Sequence, residues 1–239
     1  MIRGSVIGER FRACTFENFE VTDKNQDAVR ACKRVAVTGR DGVLLMGEHG
    51  VGKTHLLIAT AKEYDRLHSR RQNHEPDSAD AAELPSASDI IRNAPRANQE
   101  ADVAPSLQPE EIEREAHVEY WPILDLLSEL RAEIGRGTLE ISRRCRECGL
   151  LVLDDFGAER TTDFVTEELE RIVDWRYRSM IPTAAATNFV SFGGIDNKYG
   201  RRIFSRWMGS CMALKIGGVD RRATSGPMLE ERRTSSAAD

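Results

Sequence analysis

The chain has 239 residues, 40% hydrophobic and 31% charged, with a net charge of −5, which is room for one large domain with a packed core. No apolar run reaches the roughly 18 residues of a spanning helix, and the N-terminus carries no stretch of signal-peptide length, so a membrane protein is excluded and a cytoplasmic location is expected. Five cysteines, an odd count scattered along the chain, argue for reduced thiols over a disulfide framework. The charge is uneven. Between Ser69 and Ala116 stand 5 Arg and 11 Asp or Glu, a net of −6 that leaves the remainder at +1. An acidic average is thus compatible with a nucleic-acid surface where Arg201, Arg202 and Arg206 cluster.

Residues 1–40 read as a short lead and a helix from about Asp23 to Thr38, with Ala28, Val29, Cys32, Val35 and Ala36 at helical spacing. Val43 to Met46 is a short apolar run of buried-strand type. It passes through GEHGVGKT into a helix from about Lys53 to His68. Residues 69–116 hold five of the eight prolines and no Phe, Tyr or Trp, the composition of a disordered acidic insertion. Order is expected to resume with a strand at His117 to Trp121. Pro122 then starts a helix to about Ile134, with Leu124, Leu127, Leu130 and Ile134 on one face. Gly149 to Leu153 is the strongest buried strand and ends on Asp154 and Asp155. A helix over Thr166 to Met180 and a small-residue strand over Thr183 to Thr187 follow, and residues 223–239 read as a frayed tail. Alternating strands and helices predict an α/β fold, a parallel sheet flanked by helices.

Gly47, Glu48, His49, Gly50, Val51, Gly52, Lys53 and Thr54, followed by His55, fit the phosphate-loop pattern G-x-x-x-x-G-K-[ST]. Glycines let backbone N–H groups turn inward around phosphate oxygens, and the next helix offers its positive N-terminus. Lys53 is expected on the β- and γ-phosphates of ATP and the Thr54 hydroxyl on Mg2+. A buried strand ending on carboxylates puts Asp154 in place to hold Mg2+ and Asp155 to orient or deprotonate the attacking water. Asn188, at the end of another strand, is either a cap or a partner of that water. The arginines of YGRRIFSRW and GVDRR are either solvated charges or include a transition-state arginine given to a neighbouring subunit. Cys145 and Cys148 lack the further ligands of a structural zinc site and read as two thiols in a loop before a strand.

Taken in order, RFRACTFENF, GEHGVGKTHLL, LLVLDDFGAER, the Arg176-Tyr177 region, AAATN, RRIFSRWMGSC and GGVDRR resemble the DnaC/DnaI/IstB group of AAA+ ATPases, helicase loaders and transposition helpers. The resemblance covers nearly everything outside residues 69–116 and the tail, so a AAA+ domain is expected over 41–222. It implies Walker A at Gly47, Gly52, Lys53 and Thr54, Walker B at Asp154 and Asp155, and sensor 1 at Asn188. It further implies an arginine finger at Arg206 and sensor 2 at Arg222, with Arg221 the weaker choice. It also implies ATP and Mg2+, a homo-oligomer, sequence-independent contact with single-stranded DNA, and a replicative helicase or transposase as client. Three departures stand out. Only about ten residues precede the match, the acid pair is Asp-Asp where many AAA+ proteins have Asp-Glu, and no amphipathic helix follows Arg222, so the lid is expected to be truncated or absent. A helicase-loader-like ATPase is the favoured reading. The alternatives are an IstB-like helper, a nucleotide-gated DNA-binding module with negligible turnover, and a small-molecule kinase, against which the Asn188, Arg206 and Arg222 pattern argues.

Overall fold

A computed structural model of the chain describes residues 2–69 and 117–220. The expected insertion beyond Ser69, the tail, the lid region and Arg222 lie outside the described residues. Six parallel strands form one sheet: β1 (Ile2–Gly4), β2 (Gly42–Met46), β3 (Val118–Pro122), β4 (Leu150–Phe156), β5 (Thr183–Thr187) and β6 (Cys211–Lys215), in the order β1-β3-β4-β5-β2-β6. Around it lie α1 (Gln26–Thr38), α2 (Lys53–His68), α3 (Ile123–Arg136), α4 (Glu140–Glu147), α5 (Asp163–Arg178), α6 (Phe192–Tyr199) and α7 (Arg201–Ser210).

Strand residues alternate between two apolar layers, as the two-residue period of a pleated strand requires. Val43 and Leu45 of β2, Leu150 and Val152 of β4, and Ala184 and Ala186 of β5 pack with α1 and α2. Leu44, Met46, Leu151, Leu153 and Ala185 point the other way, into the layer of α3 to α7. Every residue of β2 and β5 is buried, which explains why both read as continuous apolar or small-residue runs. The helix after β2 covers one face, while α6 and α7 after β5 cover the other. That divergence makes the β2/β5 boundary a topological switch point, where α/β sheets open a ligand crevice at the carboxyl ends of their strands.

The expected strands and helices are present, α2 and β5 with the expected bounds and the others shifted by a few residues. The first helix starts at Gln26 because Asn25 Oδ1 accepts from the Thr22 N–H and holds residues 22–25 in a turn. The expected face of α3 is corrected: Leu124 and Ile134 are exposed, and Ile123, Leu126, Leu127, Leu130 and Glu133 are buried. Glu133 is inside because its carboxylate accepts from the Ile141 N–H, tying α3 to the start of α4. Cys145 lies on α4 and Cys148 caps it, so the expected loop there is a helix end. Both are buried thiols whose pKa burial raises. No described helix is long and apolar enough to cross a membrane.

Candidate functional site

The phosphate loop takes its shape from glycines in backbone regions that other residues avoid. Gly50 has φ +78° and Gly52 φ +101°, the left-handed side where a Cβ is penalised. A Cβ on Gly52 would fall 2.7 Å from the Phe19 ring, and one on Gly50 would fall on the Asp220 carboxylate. Gly52 stands at the N-cap of α2 without a side-chain cap, so the helix turns its first N–H groups and positive end toward the crevice. Lys53 is buried, and its Nζ donates to Gly47 O at 2.9 Å, Glu48 O at 2.7 Å and Asn188 Oδ1 at 2.8 Å.

The two aspartates at the end of β4 differ sharply. Asp154 is buried, with Oδ1 accepting from Thr54 Oγ1 at 3.2 Å and from the Asp155 N–H at 3.0 Å, while Oδ2 faces the Tyr120 hydroxyl at 3.4 Å. Burial, then the neighbouring Asp155 charge, raise its pKa above the usual carboxylate range. Burial likewise pushes the Tyr120 hydroxyl up and keeps it a donor. Asp155 is exposed and has φ +53°. Between the pairs Leu153–Ala185 and Phe156–Thr187, β4 carries one residue more than β5. Such a bulge re-aims a side chain. Here it delivers Asp155 to Asn188, whose Nδ2 donates to Asp155 Oδ1 at 3.1 Å.

Five residues marked in the sequence, Lys53, Thr54, Asp154, Asp155 and Asn188, thus join across three strand ends. The crevice is lined by His49, Gly50, Gly52, Lys53, Thr54, His55, Asp155 and Asn188, and also by Arg10, Phe11 and Cys14. Those last three were not singled out from the sequence. They belong to a segment with little regular structure, and the signal for it was the aromatic spacing of RFRACTFENF. His55 fastens this segment to α2, with Nε2 2.8 Å from Thr15 O and its ring edge-on to Phe19. The Val51 side chain packs in the core with α1 and α2. Arg206 is not part of the crevice wall: its Nε lies 2.5 Å from Asp174 Oδ1 of α5.

A triphosphate and a magnesium ion fit these residues. A buried ammonium, inward-turning glycines and an uncapped helix end suit phosphate oxygens. A hydroxyl beside a carboxylate suits a hard cation that keeps most of its ligands as water and phosphate. Among the described residues, no group of three or more His, Cys, Asp or Glu could hold a metal by itself.

Comparison with known proteins agrees with this geometry. Residues 11–74 match the family model of the bacterial DnaA ATPase domain. Among solved structures, the chain is similar to the DnaC helicase loader, with a TM-score of 0.63 and 18% identity over 88% of this chain and 100% of that one. The fold is that of the AAA+ ATPases. DnaI is similar at a TM-score of 0.61 and 18% identity, over 90% of this chain and 97% of that one. The replication initiator DnaA bound to AMPPCP and single-stranded DNA is similar at 0.60 and 18%, over 95% of this chain and 56% of that one. The AAA+ fold here therefore spans just over half of DnaA's length, and DnaC and DnaI match the loader group that the sequence motifs resemble. No curated protein matches the sequence.

Proposed function

We propose that this chain is a Mg2+-dependent ATPase that works as a replication factor of helicase-loader type, assembling with ATP on single-stranded DNA or on a helicase. The observation that carries the reading is the chain of contacts Lys53–Asn188–Asp155, which joins a phosphate-loop cation to a strand-end carboxylate through one amide. In this reading Lys53 leaves its carbonyl partners for the β- and γ-phosphates, and the Gly50 to Thr54 backbone cradles them. Thr54 and Asp154 would hold Mg2+, which screens the phosphate charge when bound. Asp155 orients or deprotonates the attacking water, and Asn188 fixes the Asp155 carboxylate and senses the γ-phosphate. Arg206, paired with Asp174 within its own chain, would act on a neighbouring subunit's nucleotide, which requires the ion pair to open on assembly. Arg222 would act as sensor 2. Similarity to DnaC and DnaI favours a helicase over a transposase as client.

The test is ATP hydrolysis against protein concentration, with and without single-stranded DNA, using Arg206→Ala and a Lys53→Ala control. A rate per subunit that climbs with concentration, responds to DNA, falls in Arg206→Ala and vanishes in Lys53→Ala is expected. Hydrolysis that is linear in concentration and indifferent to Arg206 would remove the assembly from the reading. Tight ATP binding with phosphate release no faster than the Lys53→Ala control would make the chain a nucleotide-gated module.

A further inference from the structure

Tyr120 sits on β3, with β4 and β5 between it and the strand that leads into the phosphate loop, and its neighbour β4 carries Asp154 two residues beyond the register partner Val152. Its ring packs in the α1/α2 layer and is 4% exposed. Among the described residues its hydroxyl has one hydrogen-bond acceptor, Asp154 Oδ2 at 3.4 Å. Asp154 is therefore gripped from two sides: Thr54 and the Asp155 N–H hold Oδ1, and Tyr120 faces Oδ2. Two donors on a single oxygen fix its position and leave the carboxylate free to swing about it. A donor on the second oxygen fixes the plane.

We infer that Tyr120 is a positioning residue that sets the plane of the Asp154 carboxylate for a divalent cation. The inference rests on the nucleotide reading above. A contact of 3.4 Å is long for O–H···O, and it would tighten on a carboxylate held in a fixed plane by a bound cation. Partners of this kind typically tune metal affinity by about ten-fold or more without touching the metal. Binding of the nucleotide alone does not use Asp154, so the effect of losing the hydroxyl is confined to the cation.

The experiment is Mn2+ titration by electron paramagnetic resonance of the full chain with a non-hydrolysable ATP analogue, comparing wild type with Tyr120→Phe. Analogue affinity is also measured in chelator. Tyr120→Phe is expected to weaken Mn2+ by about ten-fold and to leave analogue affinity in chelator unchanged. Equal Mn2+ affinity in a folded Tyr120→Phe protein would overturn the positioning role and leave the nucleotide reading intact. A wild-type chain that binds no analogue would overturn the nucleotide reading, and the Tyr120 role with it. Should the variant fold poorly, wild-type protein isotope-labelled at the tyrosine Cζ gives the answer. A Tyr120 resonance that moves on adding Mg2+ to the analogue complex is expected, and an unmoved one refutes the inference.

Discussion

The two layers on either side of the sheet are built by different means. The α1/α2 layer is almost entirely apolar, and the charged residues it buries, Lys53 and Asp154, both stand at the phosphate-loop end of the sheet. The α3 to α7 layer buries a set of charges inside its framework: Glu133 on the start of α4, Glu168 beside Ser142 and Arg171, and Arg176 across the α4/β4 junction. Arg176, 2% exposed, donates to Cys145 O, Cys148 O, Pro182 O and Thr183 Oγ1. Past the opposite end of β4, buried Glu159 receives the Tyr199 hydroxyl and the Gly157 N–H. One layer is held by area, which is forgiving of direction. The other is held by directional bonds that fix how α4, α5 and α6 sit on β4, at the cost of needing each partner present.

Arg176→Leu should give the largest effect and would break the comparison if it did not. Removing the guanidinium leaves several buried carbonyls without donors, and a loss of roughly 3–5 kcal/mol is expected. Chemical denaturation measures it, and a variant within about 1 kcal/mol of wild type would show that water replaces those bonds. Gly52→Ala probes the other layer. Its backbone at φ +101° costs a side chain about 1–2 kcal/mol, and the added Cβ displaces Phe19. The expected outcome is a smaller stability loss with nucleotide binding abolished by calorimetry, whereas surviving affinity would deny the loop its role. The smallest effect belongs to Asp154→Asn, and its sign is opposite. Burial and Asp155 raise the Asp154 pKa on folding, so the native state binds its proton more tightly than the unfolded chain. Stability therefore falls as pH climbs from the ordinary aspartate range through the raised value. The amide keeps an acceptor for Thr54 and escapes that loss, so Asp154→Asn should melt slightly higher than wild type at neutral pH and no higher in acid. Thermal melts across pH check this, and a gap that does not widen with pH would refute it.

The same contrast explains what could be read from the sequence. The turn at GEHGVGKT and the bounds of α2 were legible to the residue because the pattern is local: the glycines, the lysine and the helix follow one another. LLVLDD and the small-residue β5 were legible because strands buried on both faces are written as unbroken apolar runs. The bulge was not. Nothing in Asp154-Asp155 says that one side chain goes inward and the other is thrown toward Asn188, since that depends on pairing with β5. The face of α3 was misread because Glu133 counts as polar in a periodicity, and its partner is eight residues on, at the start of another helix. β1 and β6 were passed over for a similar reason. Three residues at one edge and CMALK at the other are strands only because β3 and β2 offer them a parallel neighbour.

The extra residue in β4 reaches beyond the crevice. In an unbroken strand, position 155 would fall on the α3 to α7 side and 156 on the α1/α2 side. The bulge instead leaves Asp155 out and lets Phe156 stack on Tyr199 and lean against Trp207. Short polar side chains are the ones that tolerate a left-handed backbone, with Asp and Asn several-fold enriched there among non-glycine residues. The Asp-Asp ending, an oddity beside the commoner Asp-Glu, is thus the residue choice that this backbone favours. A longer acid would press for a straighter strand, and straightening would pull Phe156 from its aromatic neighbours. The choice of acid at position 155 is in this way tied to a stack of rings on the far side of the sheet.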